Sequence, residues 1–330
     1  MREEEGRFDD GYVYVTRQGT QIGRDGDRLV VRDAKADERL VAYPARNVEG
    51  LNVFGGVDLT TPAIALASEY DITIRYFTRH GQFRGSFVPD RNTLASVLRT
   101  QSRLGQRCCR AISTDIVGGA VRNAREFLAR KGVRDPGLFA EFDERLDAVT
   151  TLNGLRGVEG DATRTYFEAL DRTLTDGWSF DGRTRRPPED DLNALLSLTY
   201  VMTTGEARTA LRRVGLDPFI GVYHSDREGQ PSLALDLLEE FRRPFCDAFT
   251  TRLINRGTLT HDDFDASHEL TDGAMRTYFG KFEDYMREEL THPRLGRLLS
   301  RRIVLREQAS HLRKTITDEV ESYQPFTSPR

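Results

Sequence analysis

Gln82-Phe83-Arg84-Gly85-Ser86-Phe87-Val88-Pro89-Asp90-Arg91-Asn92-Thr93-Leu94-Ala95-Ser96-Val97-Leu98 is where the chain changes its period. Up to Phe87, short runs rich in Val, Ile and Tyr alternate with turn residues: Tyr12–Val15, Arg28–Val31, Arg39–Ala42, Asn52–Phe54, Ile72–Phe77 and Gln82–Phe87. Such runs read as strands, and Asp25-Gly26 is a hairpin signal. One helix interrupts them, with Thr61 as N-cap, Pro62 at the first helical position and Ala63 to Tyr70 as its turns. From Asp90 the spacing of Leu94, Leu98 and Leu104 predicts a helix over 91–112, and a second one from Ser113/Thr114 to Lys131. Further helical stretches fit 138–150, 158–175, 191–213, 231–255, 275–290 and 295–321. The expected class is therefore α+β: a small N-terminal β domain over 1–88, then a larger, all-helical domain over 89–330.

Length and composition suit a globular chain. Of 330 residues, 38% are hydrophobic and 30% charged, and no apolar run approaches the ~20 residues that span a bilayer. The acidic stretch Met1–Asp10 has no apolar core of a signal peptide, which predicts no membrane and a cytoplasmic location. Cys108, Cys109 and Cys246 have no zinc spacing and read as thiols. The net charge of −4 hides a strong segregation. Residues 79–134 hold twelve Arg and Lys against three Asp and Glu, a net +9 inside an acidic protein. A segregated basic stripe is the footprint of a phosphate-binding surface. Arg84, Arg91, Arg99, Arg103 and Arg107 are its candidate contacts, and the helix with Arg297, Arg301, Arg302 and Arg306 is a second candidate.

Among six histidines, His224 stands apart; the other five read as ordinary surface residues. It ends the run Ile220-Gly221-Val222-Tyr223 and precedes a helix from Ser232 on which Asp236 and Glu239 share a face. Imidazole and carboxylates so placed can surround one divalent ion, Mg²⁺ preferring oxygen and Mn²⁺ accepting imidazole. A salt-bridged helix surface accounts equally well for that spacing. Glu159, in Gly157-Val158-Glu159-Gly160, is expected at the start of a helix, where the dipole would keep it ionised. Simple N-terminal capping is the plainer alternative.

Taken in order, seven stretches resemble one family, the CRISPR-associated integrase of spacer acquisition. They are Phe54-Gly55-Gly56; Gly157-Val158-Glu159-Gly160 with Tyr166-Phe167; Arg185-Arg186-Pro187-Pro188; Asn193-Ala194-Leu195-Leu196-Ser197; Gly215-Leu216-Asp217-Pro218; Gly221-Val222-Tyr223-His224; and Pro231 through Arg242. The resemblance spans nearly the whole chain. It implies metal ligands at Glu159, His224 and Glu239, with Asp236 the alternative third ligand, and a site-ordering role for Asn193. It implies a transesterification, in which the 3′-hydroxyl of a captured DNA attacks a phosphodiester at a CRISPR repeat with Mg²⁺ or Mn²⁺ as cofactor. It further implies cleavage of branched DNA, a homodimer joined through the β domain, and a small companion protein on a separate chain. A nucleic-acid-binding scaffold with merely structural carboxylates, and an RNA-processing nuclease, are the competing readings.

Overall fold

The fold is that of a computed structural model, which describes residues 11–89, 94–135, 137–184, 187–225 and 227–328. It is α+β, with an N-terminal sheet region and a helical C-terminal part. Two compact units divide the chain: residues 1–91 with 269–284, and residues 92–268 with 285–330.

The first unit contains strands β1 (Gly11–Val15), β2 (Thr20–Asp25), β3 (Arg28–Asp33), β4 (Arg39–Pro44), β5 (Val48–Phe54) and β6 (Val57–Leu59). Helix α1 (Thr61–Glu69), β7 (Thr73–Phe77) and β8 (Phe83–Phe87) follow. One sheet runs β1-β5-β7-β8 and the other β4-β3-β2-β6. Beside the strands expected, β2 and β6 appear. β2 has only Ile22 as a large apolar residue, but its hairpin with β3 closes at Asp25↔Arg28 around Gly26, whose φ is 58°. That left-handed conformation is why the Asp-Gly pair marks the turn. Thr60, not Thr61, caps α1, its hydroxyl accepting the Ala63 N–H at 3.3 Å. Val13, Ile22, Leu29, Leu51, Leu66 and Ile74 belong to one core that draws on both sheets and α1.

Residues 269–284 complete this first unit rather than the helical one. They include the start of α9 (Asp272–Arg287), labelled in chain order with the helices below. Phe279 explains the return: its ring lies 5.1 Å from Tyr14 and 4.4 Å from Phe54. Charged contacts flank it, Arg79 to Asp272 at 2.5 Å and His80 to Glu269 at 2.7 Å. A cut of the chain near residue 88 misses this segment, because its helical period carries no information on which core it joins.

The second unit is built from α2 (Ala95–Ser102), α3 (Gln106–Arg130), α4 (Phe142–Ala148), α5 (Leu152–Leu170), α6 (Asp191–Arg213), α7 (Ser232–Glu239) and α8 (Ala248–Asn255). The end of α9, a small hairpin of β9 (Glu289–Thr291) and β10 (Leu298–Ser300), and α10 (Arg301–Ile316) complete it. The helix expected over 91–112 is broken: Arg103 closes α2 and extended Gly105 opens α3. α3 then runs through Ser113 and Thr114, whose hydroxyls bond back to Cys109 and Arg110 carbonyls instead of capping. The stretch 231–255 is also interrupted. Between α7 and α8 lies a π-helical turn, Arg242–Asp247. Pro244 has no N–H for the Glu240 carbonyl, and buried Asn123 donates to that oxygen in its place at 2.8 Å. No helix among the described residues is long and apolar enough to cross a membrane. All three cysteines are free thiols.

Candidate metal and nuclease centre

The centre is organised around a carboxylate with no exposed surface, Asp236 in the middle of α7. The chain from Gly221 to His224 folds as a loop against it. Asp236 Oδ2 accepts the N–H groups of Val222 (2.7 Å) and Tyr223 (3.0 Å), and Oδ1 that of His224 (2.8 Å). The same Oδ1 takes the imidazole Nδ1 of His224 at 2.6 Å. A carboxylate offers about four lone-pair sites, and all are spent here. Gly221 is required for the approach: a Cβ there would stand 2.7 Å from Ser232 Cβ and 2.8 Å from the His224 carbonyl oxygen. Gln101 of α2 fixes the preceding stretch, donating to the Asp217 and Ile220 carbonyls and accepting the Asp217 N–H. Ser113 of α3 shares its one hydroxyl proton between the Cys109 carbonyl (2.6 Å) and the Val222 carbonyl (3.1 Å).

This scaffold leaves Nε2 of His224 facing Glu239, whose Oε1 is 3.6 Å away. With Nδ1–H held by the Asp236 carboxylate, neutral imidazole presents a lone pair at Nε2. Burial pushes the His224 pKa down, but Asp236 and the negative charge of Glu239 outweigh it, and the net shift is upward. Glu159 sits in the interior of α5, which starts at Leu152 under a Thr151 cap, so the expected helix-terminal dipole does not act on it. Its pKa is raised, first by burial and then by the charge of Glu239, despite a hydrogen bond from Thr163 (2.8 Å) and the nearby arginines. The two glutamates thus crowd negative charge into a poorly solvated place. Cβ atoms at Gly157 and Gly160 would meet only open space, so these glycines keep room beside Glu159.

The π-turn brings two consecutive arginines to these carboxylates. Arg242 pairs with Glu239 at 2.9 Å and lies over the Tyr200 ring. Arg243 pairs with buried Asp247 (3.0 Å), stacks on Tyr166 at 4.1 Å, and donates to Thr163 Oγ1 (3.3 Å), the group that bonds Glu159. Tyr200 donates to Asp247 at 2.7 Å. Among the described residues, buried Tyr223 Oη and Arg242 Nε have no hydrogen-bond partner. Burial and the charges of Glu159 and Glu239 raise the Tyr223 pKa, so it stays a neutral donor. The sequence reading overlooked Arg242, Arg243, Thr163 and Tyr223. Pro244 inside a helical run was the available signal, since it forces a local change of helix that alters which neighbours face inward.

Among the described residues, no three His, Cys, Asp or Glu side chains are gathered as a ready-made ion site. His224 and Glu239 are adjacent, Glu159 feels the charge of Glu239, and Thr163 and Arg242 occupy the two glutamates. Asn193 is fully buried and spends its amide on the preceding loop: it accepts from Arg183 (2.7 Å) and the Thr184 N–H, and donates to Gly182 O and Asp190. Arg183 in turn lies over Tyr200, the ring that also carries Arg242. Arg84, Arg99, Arg103 and Arg107 are exposed. Gly105 separates Arg107 from the other two, so they do not form one helical stripe. Arg91, like Arg185 and Arg186, lies outside the described residues. On the second candidate helix, Arg297 is exposed and 3.7 Å from Glu307, Arg301 is tied to Glu288, and Arg302 is buried against Glu206. Nor are all the other histidines superficial: His292 and His311 are buried.

The comparisons with known proteins define a class, that of the CRISPR-associated endonucleases. The chain belongs to the CRISPR associated protein Cas1 family, whose model matches residues 13–284. It is 44% identical to the CRISPR-associated endonuclease Cas1 4 of Methanospirillum hungatei over 99% of this chain and 94% of that protein. A Cas1 protein from Thermotoga maritima has the same fold, with a TM-score of 0.83 and 25% identity over 97% of this chain and all of that one. A chain of a Cas6-RT-Cas1–Cas2 complex superposes with a TM-score of 0.81 and 23% identity, over 98% of this chain and 37% of that chain.

Proposed function

We propose that this chain inserts short DNA fragments into a CRISPR array by metal-dependent transesterification, with Glu159, His224 and Glu239 as ligands of Mg²⁺ or Mn²⁺. The observation that carries the reading is His224: Nδ1 is locked by Asp236 while Nε2 is turned to Glu239 at 3.6 Å. A backed histidine is the usual form of a metal-bound one. Two crowded glutamates, one with a raised pKa, are the electrostatic complement of a cation, and the mixed nitrogen and oxygen donor set suits Mn²⁺ or Mg²⁺. An ion bound there supplies Lewis acidity, activating the 3′-hydroxyl or water and offsetting charge on the phosphate. Asp236 orients and does not ligate, its lone pairs being occupied. Tyr223 Oη and Arg242 Nε, which have no hydrogen-bond partner among the described residues, are the groups left to donate to oxygens of the scissile phosphate. Arg243 and Thr163 hold Glu159 in its rotamer.

Exposed Arg99, Arg103 and Arg107, without counter-ions among the described residues, form the DNA surface of the second unit; Arg84 is a DNA contact of the first unit. The protein works in the cytoplasm as a homodimer with a small companion protein; the fold-mate at a TM-score of 0.81 was solved in a complex with Cas2. Cleavage of branched DNA needs no companion, whereas full integration does. The test is a strand-transfer and cleavage assay with Mg²⁺, Mn²⁺ or EDTA. Glu159→Ala, His224→Ala and Glu239→Ala each lower activity by at least ~10²-fold, with DNA affinity in EDTA nearly unchanged. Mn²⁺ rescues a weakened site better than Mg²⁺. Turnover in EDTA, or full activity of His224→Ala, leaves only a DNA-binding scaffold.

A further inference from the structure

Away from the carboxylates, the second unit has a cavity of about 370 Å³ whose wall carries Arg130, Lys131, Arg252, Arg256 and Arg301 and no Asp or Glu. Among the described residues, two carboxylates answer these five cations. Glu126 pairs with Arg130 at 3.0 Å, and Glu288 is shared between Arg252 (2.6 Å) and Arg301 (2.9 Å). Lys131 and Arg256 have no ion-pair partner among the described residues, and Arg301 Nε is buried without a hydrogen bond. Burial, aided by the neighbouring Arg256 charge, pushes the Lys131 pKa below its ordinary value. Uncompensated positive charge in a concave, partly desolvated place is a demand for an anion.

The cavity also says which anion. Guanidinium forks match phosphate oxygens, and a terminal phosphate carries nearly two charges at neutral pH, matching the two unpaired cations. The volume falls in the usual range for small-ligand pockets, large enough for a nucleotide. Phe127 and Tyr285 supply aromatic wall. The amides in the wall are largely committed: Asn123 spends both N–H groups on the Glu240 and Phe326 carbonyls and accepts the Ser328 N–H, and Asn255 donates to the Thr173 carbonyl and accepts the Thr175 N–H. Recognition here therefore depends on phosphate and not on base.

We propose that this cavity binds a phosphate monoester with its attached nucleotide, irrespective of base, as found at the 5′ end of a DNA strand or on a free mononucleotide. Its wall includes Pro244 and Phe245, so it backs onto the π-turn that presents Arg242 and Arg243 to the glutamates. The inference is independent of the metal reading, and its test is run in EDTA so that failure of one leaves the other standing.

The full chain is titrated with thymidine 5′-monophosphate and thymidine, and with a ten-residue thymidine oligonucleotide carrying either a 5′-phosphate or a 5′-hydroxyl. The phosphorylated member of at least one pair binds about tenfold tighter or better, the scale of charge-assisted hydrogen bonds. The preference collapses in Lys131→Ala/Arg256→Ala and persists in Arg256→Lys. A preference in the oligonucleotide pair identifies a strand end as the source; one confined to the mononucleotide pair identifies a free nucleotide. Single Arg256→Ala, at an exposed position, gives the same reading should the double variant fold poorly. Equal binding of phosphorylated and hydroxyl forms overturns the proposal, as does a preference that survives in a folded Lys131→Ala/Arg256→Ala protein.

Discussion

Replacing Asp236 by asparagine tests the centre most directly, because the substitution keeps shape and removes acceptors. Each Asp236 oxygen accepts two N–H groups: Val222 and Tyr223 at Oδ2, His224 N and Nδ1 at Oδ1. An asparagine amide must point NH₂ at one of these pairs: in the Oδ2 place it faces two backbone N–H donors, and in the Oδ1 place it faces the His224 N–H while Nδ1 must give up its proton to accept. At least one hydrogen bond to a charged acceptor disappears, worth roughly 1.5–3 kcal/mol of folding stability. In urea unfolding followed by circular dichroism, the midpoint should fall with the slope unchanged. Strand transfer should be abolished as well, since His224 no longer has a fixed Nδ1–H. Glu239→Gln is the comparison: it should abolish strand transfer while leaving the Gly221–His224 loop in place, as read by hydrogen-exchange protection of the Val222 and Tyr223 amides. An Asp236→Asn protein with a wild-type midpoint and protected amides would refute the account of Asp236 as the loop's anchor.

Glu159→Gln should be inactive yet as stable as wild type or more so. A carboxyl with a raised pKa in the folded state binds its proton more tightly there, so it costs stability once pH rises above the unfolded carboxylate value of ~4.3; the advantage of the glutamine variant in urea should therefore grow from pH 4 upward. His311 shows the opposite protonation preference. Burial, with Arg294 and Lys314 nearby, lowers its pKa to about 4, so the unfolded state takes up the proton first. The stability it contributes above pH ~6.5 is lost as pH falls toward 4, and His311→Gln should flatten that acid limb. Arg99→Glu with Arg103→Glu should weaken duplex binding without changing sequence preference, and should reduce the log–log salt slope by about 0.9 for each phosphate no longer neutralised; an unchanged slope removes this segment from the DNA surface. Phe279→Ala should cost roughly 3–5 kcal/mol in urea unfolding, as expected of a ring seated between Tyr14 and Phe54.

The change from strand to helix beyond Phe87 was legible because alternation and the Leu94/Leu98 spacing are local properties. So was α6, whose span Asp191–Arg213 matches the expectation; its cap is Asp190, through a short-range hydrogen bond from Asn193 N. The start of α5 was not, because Gly154 and Gly157 weaken helix propensity while the buried stripe of Leu155, Val158 and Ala162 overrides it. Spacing placed Asp236 and Glu239 on one helix face but had no means of ranking them. What distinguishes them is the loop 221–224, whose N–H groups fill one carboxylate and leave the other facing imidazole. That is a tertiary fact, and helical period does not encode it.

The late return of Phe279 to the first unit has a consequence for synthesis. A ribosome delivers the chain N-terminus first at about 5–20 residues per second, so roughly 10–45 s separate the emergence of Phe54 from that of its ring partner. Throughout that interval the nascent β region must wait with Tyr14 and Phe54 uncovered while the intervening helices are made. Folding from the N-terminus onward therefore cannot finish the first unit before residues 92–268 of the second have left the tunnel, and a chain ending before residue 279 would leave Tyr14 and Phe54 without their cover.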